Sequence, residues 1–545
     1  MFKQKLKLHQ ISATNYIVIS SIFLVFLYNI PNFIIKVQLN HSHHMVYFKA
    51  ITVTLAEVCL ALAVLILFLG IVSFSRVLLK FFILTFIILS SVFAYYVFTY
   101  KIFIDEMLID TILKTNQAEI RNVLSISFFV YLLLFTVIPS FVFIYVIRIQ
   151  PYLRFTSFFK HFSKTLAIVF GFLILVGGLN YKLYVNNMLL HQHFQYAKYT
   201  TKSSLSFYMP LNYVAAILQY AKGIYIFKYN NTKNIAEEYP FKLPTSLANT
   251  SLNIILVIGE SARADHQSLN GYTRDTNPNL EKVKNLVTYP NVSSCNTYSV
   301  GAINCLLSYK SREEFKINLQ ESNLVSVFNT LGFASYFLST QSIYNDFNYM
   351  YFPFKDVQTK ILNNKIRKEV PTGSYLYDAY LLPFLQDIAT NKNNPHKLIV
   401  VYLIGSHMPY NTRYPSSFRV FKGIDNNLDS YDNTILYTDY ILSKIIERYR
   451  KQRTFLYYVS DHGESLGEGG VYYHGAKYEI APKEQKNVAQ FIWASDSMVS
   501  LMGSSWEKIK SNKNNDISQD YVFHSLFQCL GIKSKIVNKN LSICN

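Results

Sequence analysis

The chain has 545 residues, of which 51% are hydrophobic and 16% aromatic, while only 16% are charged. This composition is too apolar for an ordinary soluble protein, and the length predicts more than one domain. The net charge of +19 is typical of nucleic-acid-binding proteins, but the location outside the cytoplasm that is predicted below argues against that class. Attraction to anionic lipid surfaces is the simpler explanation of the charge.

Five long apolar stretches lie before residue 190, and each is long enough to cross ~30 Å of hydrocarbon as a helix. A buried helix of a soluble protein explains one such stretch but not five in succession. We therefore predict an all-α transmembrane domain over residues 1–185. Its approximate spans are Tyr16–Ile35, Ala50–Phe74, Phe81–Tyr100, Val123–Ile147 and Leu166–Leu183.

The orientation of the spans follows from basic residues near their ends. These residues precede the first span and lie between the second and third spans and between the fourth and fifth. The positive-inside rule places all three segments in the cytoplasm, so the chain after Lys182 is expected outside. No small-residue cleavage site follows the first span, which we therefore expect to be retained as an anchor. The basic residues are Lys3, Lys5, Lys7, Arg76, Lys80, Arg148, Arg154, Lys160 and Lys164.

The remainder of the chain divides into a linker and a second domain. Residues 186–250 are aromatic and mildly basic without a long apolar core, which predicts interfacial helices and a linker. From residue 251 to 545, strand-like runs alternate with stretches suited to helices. This alternation predicts an α/β domain with a mostly parallel sheet flanked by helices. Besides the three strands described next, we predict strands at Ala334–Leu338 and Val488–Trp493 and helices at Leu324–Leu331 and Asn433–Arg448.

Three apolar runs in this domain each end at residue types that bind metals. Runs this short and apolar on both faces predict buried parallel strands. Because ligands bind beyond the carboxyl ends of strands in open α/β sheets, we expect the following side chains to converge. Carboxylates with imidazoles are a suitable environment for zinc. The runs and the residues after them are Leu252–Ile258 with Glu260, Leu398–Ile404 with His407, and Phe455–Val459 with Asp461 and His462.

A hydroxyl group beside such a metal would indicate nucleophilic catalysis, since the metal lowers the pKa of an oxygen nucleophile. The candidates are Thr297, Tyr298 and Ser299. A single hydroxyl is more often a helix cap or a surface group. The neighbouring cysteines and the converging ligands favour a catalytic role here.

Four of the five cysteines lie in the predicted outer domain, where disulfides persist. Cys295 and Cys305 enclose the candidate hydroxyls, and a disulfide between them would clamp a loop or the start of a helix. Cys529 and Cys544 form a second candidate pair. A C-x-x-C zinc motif is absent from the sequence.

Two long motifs stand out in the outer domain. They are GESARADH at Gly259–His266, followed by LNGYTRDTNP at Leu269–Pro278, and DHGESLGE at Asp461–Glu468, followed by His474-Gly475 and APKEQ at Ala481–Gln485. Both resemble the motifs of bacterial phosphoethanolamine transferases, which belong to the alkaline phosphatase and sulfatase superfamily and include lipid A modifiers that confer polymyxin resistance. That family also has five spans followed by a periplasmic catalytic domain, so the resemblance extends over nearly the whole chain.

The resemblance implies a metal site and a nucleophile. Glu260, Asp461 and His462 match the zinc ligands of the family. Ser299 stands where the family has its nucleophilic threonine, which is also a zinc ligand. The family reads Cys-Gly-Thr-x-Thr where this chain has Cys295-Asn296-Thr297-Tyr298-Ser299, so Thr297 is the alternative nucleophile. Serine and threonine hydroxyls can both attack phosphorus.

Further residues match groups that contact the substrates of the family. His407 and His474 match histidines that hold the phosphoryl group or a second zinc, so one or two Zn²⁺ ions are implied. Glu119 matches a membrane-loop motif implicated in binding the lipid substrate. A family asparagine near the substrate site corresponds to Gln341 or a neighbour.

These features predict a multi-pass transferase of the bacterial inner membrane with a periplasmic catalytic domain. It would move phosphoethanolamine from phosphatidylethanolamine to lipid A or the lipopolysaccharide core, and so confer resistance to cationic peptides. One alternative is a glycerol-phosphate transferase resembling lipoteichoic acid synthase, and another is an inactive membrane sensor or binding protein. The Cys295 to Cys305 loop and DHGESLGE favour the phosphoethanolamine branch, and the intact ligand set argues against an inactive protein.

Overall fold

The computed structural model describes residues 10–42, 47–100, 102, 104–114, 124–150, 155–185, 207–229, 232–317, 320–341, 349–371, 374–423 and 426–545. The chain divides into two compact units, Met1–Ala221 and Lys222–Asn545. The two units are described separately below.

The first unit is helical. Its helices are α1 Ala13–Leu27, α2 Ile30–Ser42, α3 Tyr47–Val72, α4 Arg76–Tyr100, α5 Glu106–Lys114, α6 Ile126–Val146, α7 Phe155–Val185 and α8 Leu211–Tyr229, the last of which continues into the second unit.

Four helices among the described residues are long and apolar enough to cross a membrane. They are Ala50–Val72, Arg76–Tyr100, Ile126–Val146 and Thr156–Leu179, and they overlap four of the predicted spans. The predicted first span, Tyr16–Ile35, divides instead between α1 and α2. With 15 residues, α1 is ~22 Å long and falls short of the ~30 Å hydrocarbon thickness. The prediction of five long spans is therefore not confirmed at the first span.

The break between α1 and α2 is held by a buried asparagine. Asn29 donates through Nδ2 to the carbonyls of Val25 and Met209, at 3.0 and 2.9 Å, and its Oδ1 accepts from the Met209 N–H at 2.8 Å. Pro31 follows in the first turn of α2, where its missing N–H leaves no helical hydrogen bond unmade. The segment at Met209 thus satisfies polar groups that the interrupted helix would otherwise bury unpaired.

A buried ion pair links α2 to α3. Lys36 Nζ lies 3.3 Å from Glu57 Oε1, both side chains are almost completely buried, and Tyr208 donates to Glu57 Oε2 at 3.1 Å. Ionisable groups inside a membrane domain are costly unless they are paired. The pair therefore ties two helices and the Tyr208 segment together.

Glu57→Ala is expected to destabilise the protein by about 3–5 kcal/mol, because it removes the carboxylate from a buried ammonium group. The double variant Lys36→Met, Glu57→Ala should recover much of this loss, since it removes both buried charges. Thermal unfolding of the detergent-purified variants measures both effects. A single variant as stable as the wild type would show that the pair contributes nothing to stability.

The second unit contains a seven-stranded sheet among its described residues. Its strands are β1 Leu252–Gly259, β2 Leu286–Thr288, β3 Ala334–Ser339, β4 Thr359–Ile361, β5 His396–Tyr402, β6 Thr454–Ser460 and β7 Gln490–Ala494. Their order across the sheet is β2-β7-β6-β1-β5-β3-β4, and β7 runs in the direction opposite to the other six strands. The prediction of a mostly parallel sheet is confirmed.

The sheet is buried on both faces. Along β1, the side chains of Ile254, Leu256 and Ile258 belong to one apolar cluster, and those of Ile255 and Val257 belong to another. This alternation explains why the central strands are apolar at consecutive positions. Helices of the unit include α9 Ser299–Leu306, α10 Leu324–Thr330, α11 Leu382–Thr390, α12 Asn426–Tyr449, α13 Asp496–Met502, α14 Ser504–Ser511 and α15 Tyr521–Gln528.

Candidate active site

Two neighbouring strands bring three of the predicted ligands together. Glu260 directly follows β1, and Asp461 and His462 directly follow β6. The two strands are paired in parallel with Gly259 opposite Ser460, so the residues after them lie side by side. All three side chains are almost completely buried.

The ligand atoms of Glu260, Asp461 and His462 lie within 4.8 Å of one another. His462 Nε2 is 3.4 Å from Glu260 Oε1 and 3.6 Å from Asp461 Oδ2. His462 Nδ1 is 2.9 Å from the Gly463 carbonyl, which only accepts hydrogen bonds. Nδ1 therefore carries the proton, and the Nε2 lone pair is directed to the carboxylates.

The electrostatics of this cluster fit a bound cation. Burial raises the pKa of Asp461 well above its ordinary value, and the negative charge of Glu260 raises it further. Burial also disfavours ionisation of Glu260, but His462 and other imidazoles lower the pKa of that carboxyl to about 2. Burial and His474 lower the pKa of His462 to about 3, against the effect of Glu260. A neutral imidazole and two crowded carboxyl groups form a donor set that a divalent cation would stabilise.

The loop after Glu260 has a strained backbone that other residues hold in place. Ser261 has a φ of 56°, a backbone conformation that residues other than glycine rarely adopt. The Tyr431 hydroxyl of α12 donates to the Ser261 carbonyl at 2.6 Å and accepts from the Arg263 N–H at 3.0 Å. The Ser261 N–H donates to Asp461 Oδ1 at 3.1 Å. These bonds fix the direction in which Glu260 leaves its strand.

Ser299 is the first residue of α9 and lies against the cluster. Its Oγ is 3.1 Å from His462 Nε2 and 3.3 Å from Glu260 Oε2, and the side chain is half-buried. The start of a helix favours nearby negative charge because its first N–H groups lack helical partners. Ser299 is therefore placed where a deprotonated hydroxyl would be stabilised.

The alternative hydroxyl lies elsewhere. Thr297 is fully buried, and its Oγ1 donates to the Ala476 carbonyl at 2.5 Å. The structure thus brings Ser299, and not Thr297, to the carboxylates and His462.

Both candidate cysteine pairs are disulfide-bonded. Cys295 and Cys305 have Cα atoms 6.1 Å apart and join the loop before α9 to the end of that helix. Cys529 and Cys544 form the second bridge. The first bridge closes the segment that carries Ser299.

Replacing Cys295 and Cys305 by serine is expected to cost at most ~3 kcal/mol of stability and to reduce transfer as well, because the segment holding Ser299 becomes looser. The matched control is the Cys529→Ser, Cys544→Ser variant, since the two bridges span 10 and 15 residues. The control should lose similar stability but retain transfer at a temperature where both variants are folded. Equal loss of transfer in both would contradict a local role for the first bridge.

His407 lies on the loop after β5. Its Nδ1 is 2.7 Å from the Met408 carbonyl, and Arg413 Nε donates to the His407 carbonyl at 2.6 Å. The same loop packs closely on Glu260. A Cβ atom added at Gly405 would lie only 3.1 Å from the Glu260 backbone nitrogen. His407 also contributes to lowering the pKa of Glu260.

His474 lies beside His462, with ring centroids 4.0 Å apart. Its Nδ1 is 2.6 Å from Glu464 Oε2, and Glu464 Oε1 accepts from the Tyr410 hydroxyl at 2.6 Å. Burial alone would lower the pKa of His474, but Glu464 raises it to about 9. The Glu464 carboxylate therefore favours the protonated form of the His474 imidazole. His462, Glu464 and His474 form a second group whose ligand atoms lie within 4.8 Å.

Two residues at the site were not predicted as contacts of the metal ligands. Tyr402 donates to Glu260 Oε2 at 2.6 Å, and Gln341 Nε2 donates to the same oxygen at 2.9 Å. The available signal for Tyr402 was a polar group within the otherwise apolar run Leu398–Ile404. Glu119, the remaining predicted site residue, lies outside the described residues.

Comparison with known proteins gives two family matches. Residues 252–532 match the sulfatase family, and residues 58–225 match the family described as phosphoethanolamine transferase EptA/EptB. The phosphoethanolamine transferase EptA of Helicobacter pylori is 31% identical over 438 residues, which cover 76% of this chain and 75% of that protein. This chain belongs to the phosphoethanolamine transferase family. It is accordingly a transferase of the sulfatase superfamily.

Two further comparisons concern function and fold. The Kdo(2)-lipid A phosphoethanolamine 7''-transferase of Escherichia coli is 28% identical over 361 residues, and the match spans 62% of each chain. The solved structure of the integral membrane phosphoethanolamine transferase EptA from Neisseria meningitidis superposes with a TM-score of 0.74 at 21% identity. It covers 98% of this chain and 99% of its own, so the phosphoethanolamine transferase described here shares its fold.

Proposed function

We propose that this phosphoethanolamine transferase carries its transferred group on Ser299, taking it from phosphatidylethanolamine and passing it to lipid A or the lipopolysaccharide core. The observation that supports this is the position of Ser299 Oγ, 3.1 Å from His462 Nε2 and 3.3 Å from Glu260 Oε2. The similarity to the Kdo(2)-lipid A phosphoethanolamine 7''-transferase of Escherichia coli supports a lipid A acceptor.

The cofactor in this proposal is Zn²⁺, as one or two ions. Glu260, Asp461 and His462 would hold the first ion, with Ser299 Oγ beside it. Bound zinc would supply positive charge that favours loss of the serine proton and offsets the charge on the transferred phosphoryl group. The buried mixed carboxylate and imidazole set supports this assignment.

The transfer proceeds in two displacements. Ser299 Oγ loses its proton and attacks the donor phosphorus, the bond from phosphorus to the diacylglycerol oxygen breaks, and diacylglycerol leaves with a proton. An acceptor oxygen then attacks the same phosphorus, the bond to Ser299 Oγ breaks, and the serine regains its proton. His474, held protonated by Glu464, donates to the phosphoryl oxygens together with His407, so that charge is stabilised as it shifts. Such a route gives ping-pong kinetics.

Glu119 is proposed to contact the donor lipid. A carboxylate in an outer loop would bind the ammonium of the ethanolamine headgroup. The residues proposed to hold zinc cannot bind that ammonium group. Glu119→Ala should then reduce transfer without changing the metal content, and unchanged lipid products in that variant would leave the contact without support.

The proposed location is the bacterial inner membrane, with a transmembrane domain over residues 1–185, an interfacial linker over 186–250 and a periplasmic catalytic domain over 251–545. A fifth crossing by residues 16–35 is part of this proposal. The two disulfides of the second unit support an oxidising compartment.

A reporter that is active only in the periplasm is expected to be active when fused after Asn545 and inactive when fused after Lys160. The physical reason is the excess of basic residues in the segments assigned to the cytoplasm. The opposite pattern would invert the topology, and activity at both positions would require a different number of crossings.

The function is tested by mass spectrometry of lipid A and core from cells that carry the wild type, Ser299→Ala or no copy of the protein. Phosphoethanolamine is expected on these lipids only with the wild type. Because the added amine masks the negative charge of a phosphate, the same cells should bind cationic peptides less well. A glycerol-phosphate addition would support the alternative donor, and unchanged lipids would contradict both acceptors.

A further inference from the structure

Tyr402 is a fully buried residue at the end of the central strand β5. Its backbone lies opposite Ile258 of β1 and Ser339 of β3. The aromatic ring packs within the apolar cluster on one face of the sheet, which fixes the two torsions of the side chain. The hydroxyl therefore stands at a defined position on the edge of the sheet where Glu260 and Asp461 follow their strands.

The Tyr402 hydroxyl contacts both carboxylates of the proposed metal site. It lies 2.6 Å from Glu260 Oε2 and 3.2 Å from Asp461 Oδ2. Carboxylates accept hydrogen bonds, so the phenol must donate. Burial, and then the charges of Glu260 and Asp461, raises the pKa of Tyr402 well above its ordinary value.

Other groups hold the second oxygen of each carboxylate. Ser261 Oγ donates to Glu260 Oε1 at 2.8 Å. The N–H groups of Ser261 and His462 donate to Asp461 Oδ1 at 3.1 and 2.7 Å. Tyr402 contacts the oxygen on each carboxylate that these donors do not hold. Hydrogen bonds to both oxygens thus fix the orientation of each carboxylate.

We propose that Tyr402 is a positioning residue, which holds the carboxylates of Glu260 and Asp461 at the separation and orientation that the metal requires. The inference rests on the metal site of the proposed function. A ligand that an outer hydrogen bond has already oriented loses less freedom when it binds metal. Gln341 donates to Glu260 Oε2 as well, whereas Tyr402 lies against both carboxylates.

The test is the Zn²⁺ affinity of Tyr402→Phe, measured by chelator competition on the full-length protein in detergent. Loss of the hydroxyl is expected to weaken Zn²⁺ binding ~10–100-fold. The matched control is Tyr289→Phe. Tyr289 is also fully buried, and its hydroxyl donates to the Ile509 carbonyl at 2.6 Å. This control loses one buried hydrogen bond too, but it should bind Zn²⁺ as the wild type does.

The outcomes separate this inference from the function on which it rests. A wild type that binds no Zn²⁺ overturns the proposed metal site and this inference with it. A wild type that binds Zn²⁺ no more tightly than Tyr402→Phe overturns the inference alone. Equal weakening in both phenylalanine variants also overturns it, because the effect is then a general loss of structure.

Two further measurements report directly on the Tyr402 side chain. The fluorine resonance of 3-fluorotyrosine placed at position 402 is expected to move on addition of Zn²⁺ and to return with a chelator, and an unchanged resonance overturns the inference. The absorption spectrum of the Cu²⁺-loaded wild type should contain no tyrosinate-to-copper charge-transfer band from Tyr402, which would be recognised by its absence in Tyr402→Phe. Such a band would make Tyr402 a metal ligand and overturn its positioning role.

Discussion

Ser299→Ala is expected to abolish phosphoethanolamine transfer while the protein remains folded. Removal of the nucleophile from such a site costs a factor of about 10²–10⁶ in rate. The side chain is half-buried at the start of α9, and alanine fits there without a clash. Transfer from phosphatidylethanolamine to an acceptor by the purified protein measures the loss. Intact-mass analysis of the wild type incubated with the donor alone should show an adduct that maps to Ser299.

Thr297→Ala is the matched control for this prediction. It removes a hydroxyl two residues away that donates to the Ala476 carbonyl and not to the carboxylates. The variant should be less stable, because a buried carbonyl loses its donor, yet it should still form the adduct. An adduct on Thr297 would move the nucleophile to that residue. A fully active Ser299→Ala, Thr297→Ala double variant would refute the covalent mechanism.

Asp461→Asn is expected to remove both the metal and the activity. The asparagine carbonyl can still accept from the backbone N–H groups of Ser261 and His462, so the loop should keep its conformation. The amide that replaces Oδ2 cannot bind a cation. The metal affinity should fall by more than the ~10–100-fold that loss of an outer hydrogen-bond partner costs. Metal analysis of the purified variant and restoration of wild-type activity by Zn²⁺ after chelation measure the two effects.

Asp439→Asn controls for the loss of a buried carboxylate. Asp439 accepts from the Leu280 N–H at 2.9 Å and from the Asn279 N–H at 3.0 Å, an arrangement like that of Asp461 but without neighbouring metal ligands. This variant should lose stability and keep its metal. An Asp461→Asn protein with a full complement of zinc would show that the ion is held elsewhere.

Much of this arrangement followed from local sequence. The runs before Glu260 and Asp461 are short, rich in β-branched or aromatic residues and apolar on both faces, which favours a strand covered on two sides. Parallel pairing of neighbouring strands then brings the residues that follow them together. Helix α12 was predicted at Asn433–Arg448 and extends over Asn426–Tyr449, because its polar first turns carry no apolar periodicity.

Other features depended on contacts between distant parts of the chain. β2 and β4 have three residues each, too few to show a period of two, and they are strands only because a neighbouring strand pairs with them. The first apolar stretch reads as one span, but the Met209 segment hydrogen-bonds to Asn29, 180 residues earlier, and stabilises a break. A stretch of sequence that contains one helix gives no information about such a distant partner.

The sequence by itself determined the family, the apolar helices, the mostly parallel sheet and the convergence of Glu260, Asp461 and His462, because each of these is encoded in short periodic runs or ordered motifs. Only the tertiary structure showed which of the hydroxyls of Ser299 and Thr297, two residues apart and chemically alike, lies beside these three side chains. The start of α9 directs one to His462 and the other to the Ala476 carbonyl. The tertiary structure alone also placed the phenol of Tyr402 between two carboxylates. Its hydrogen bonds, which join residues 142 and 59 positions apart, arise from the packing of strands and not from their spacing in the chain.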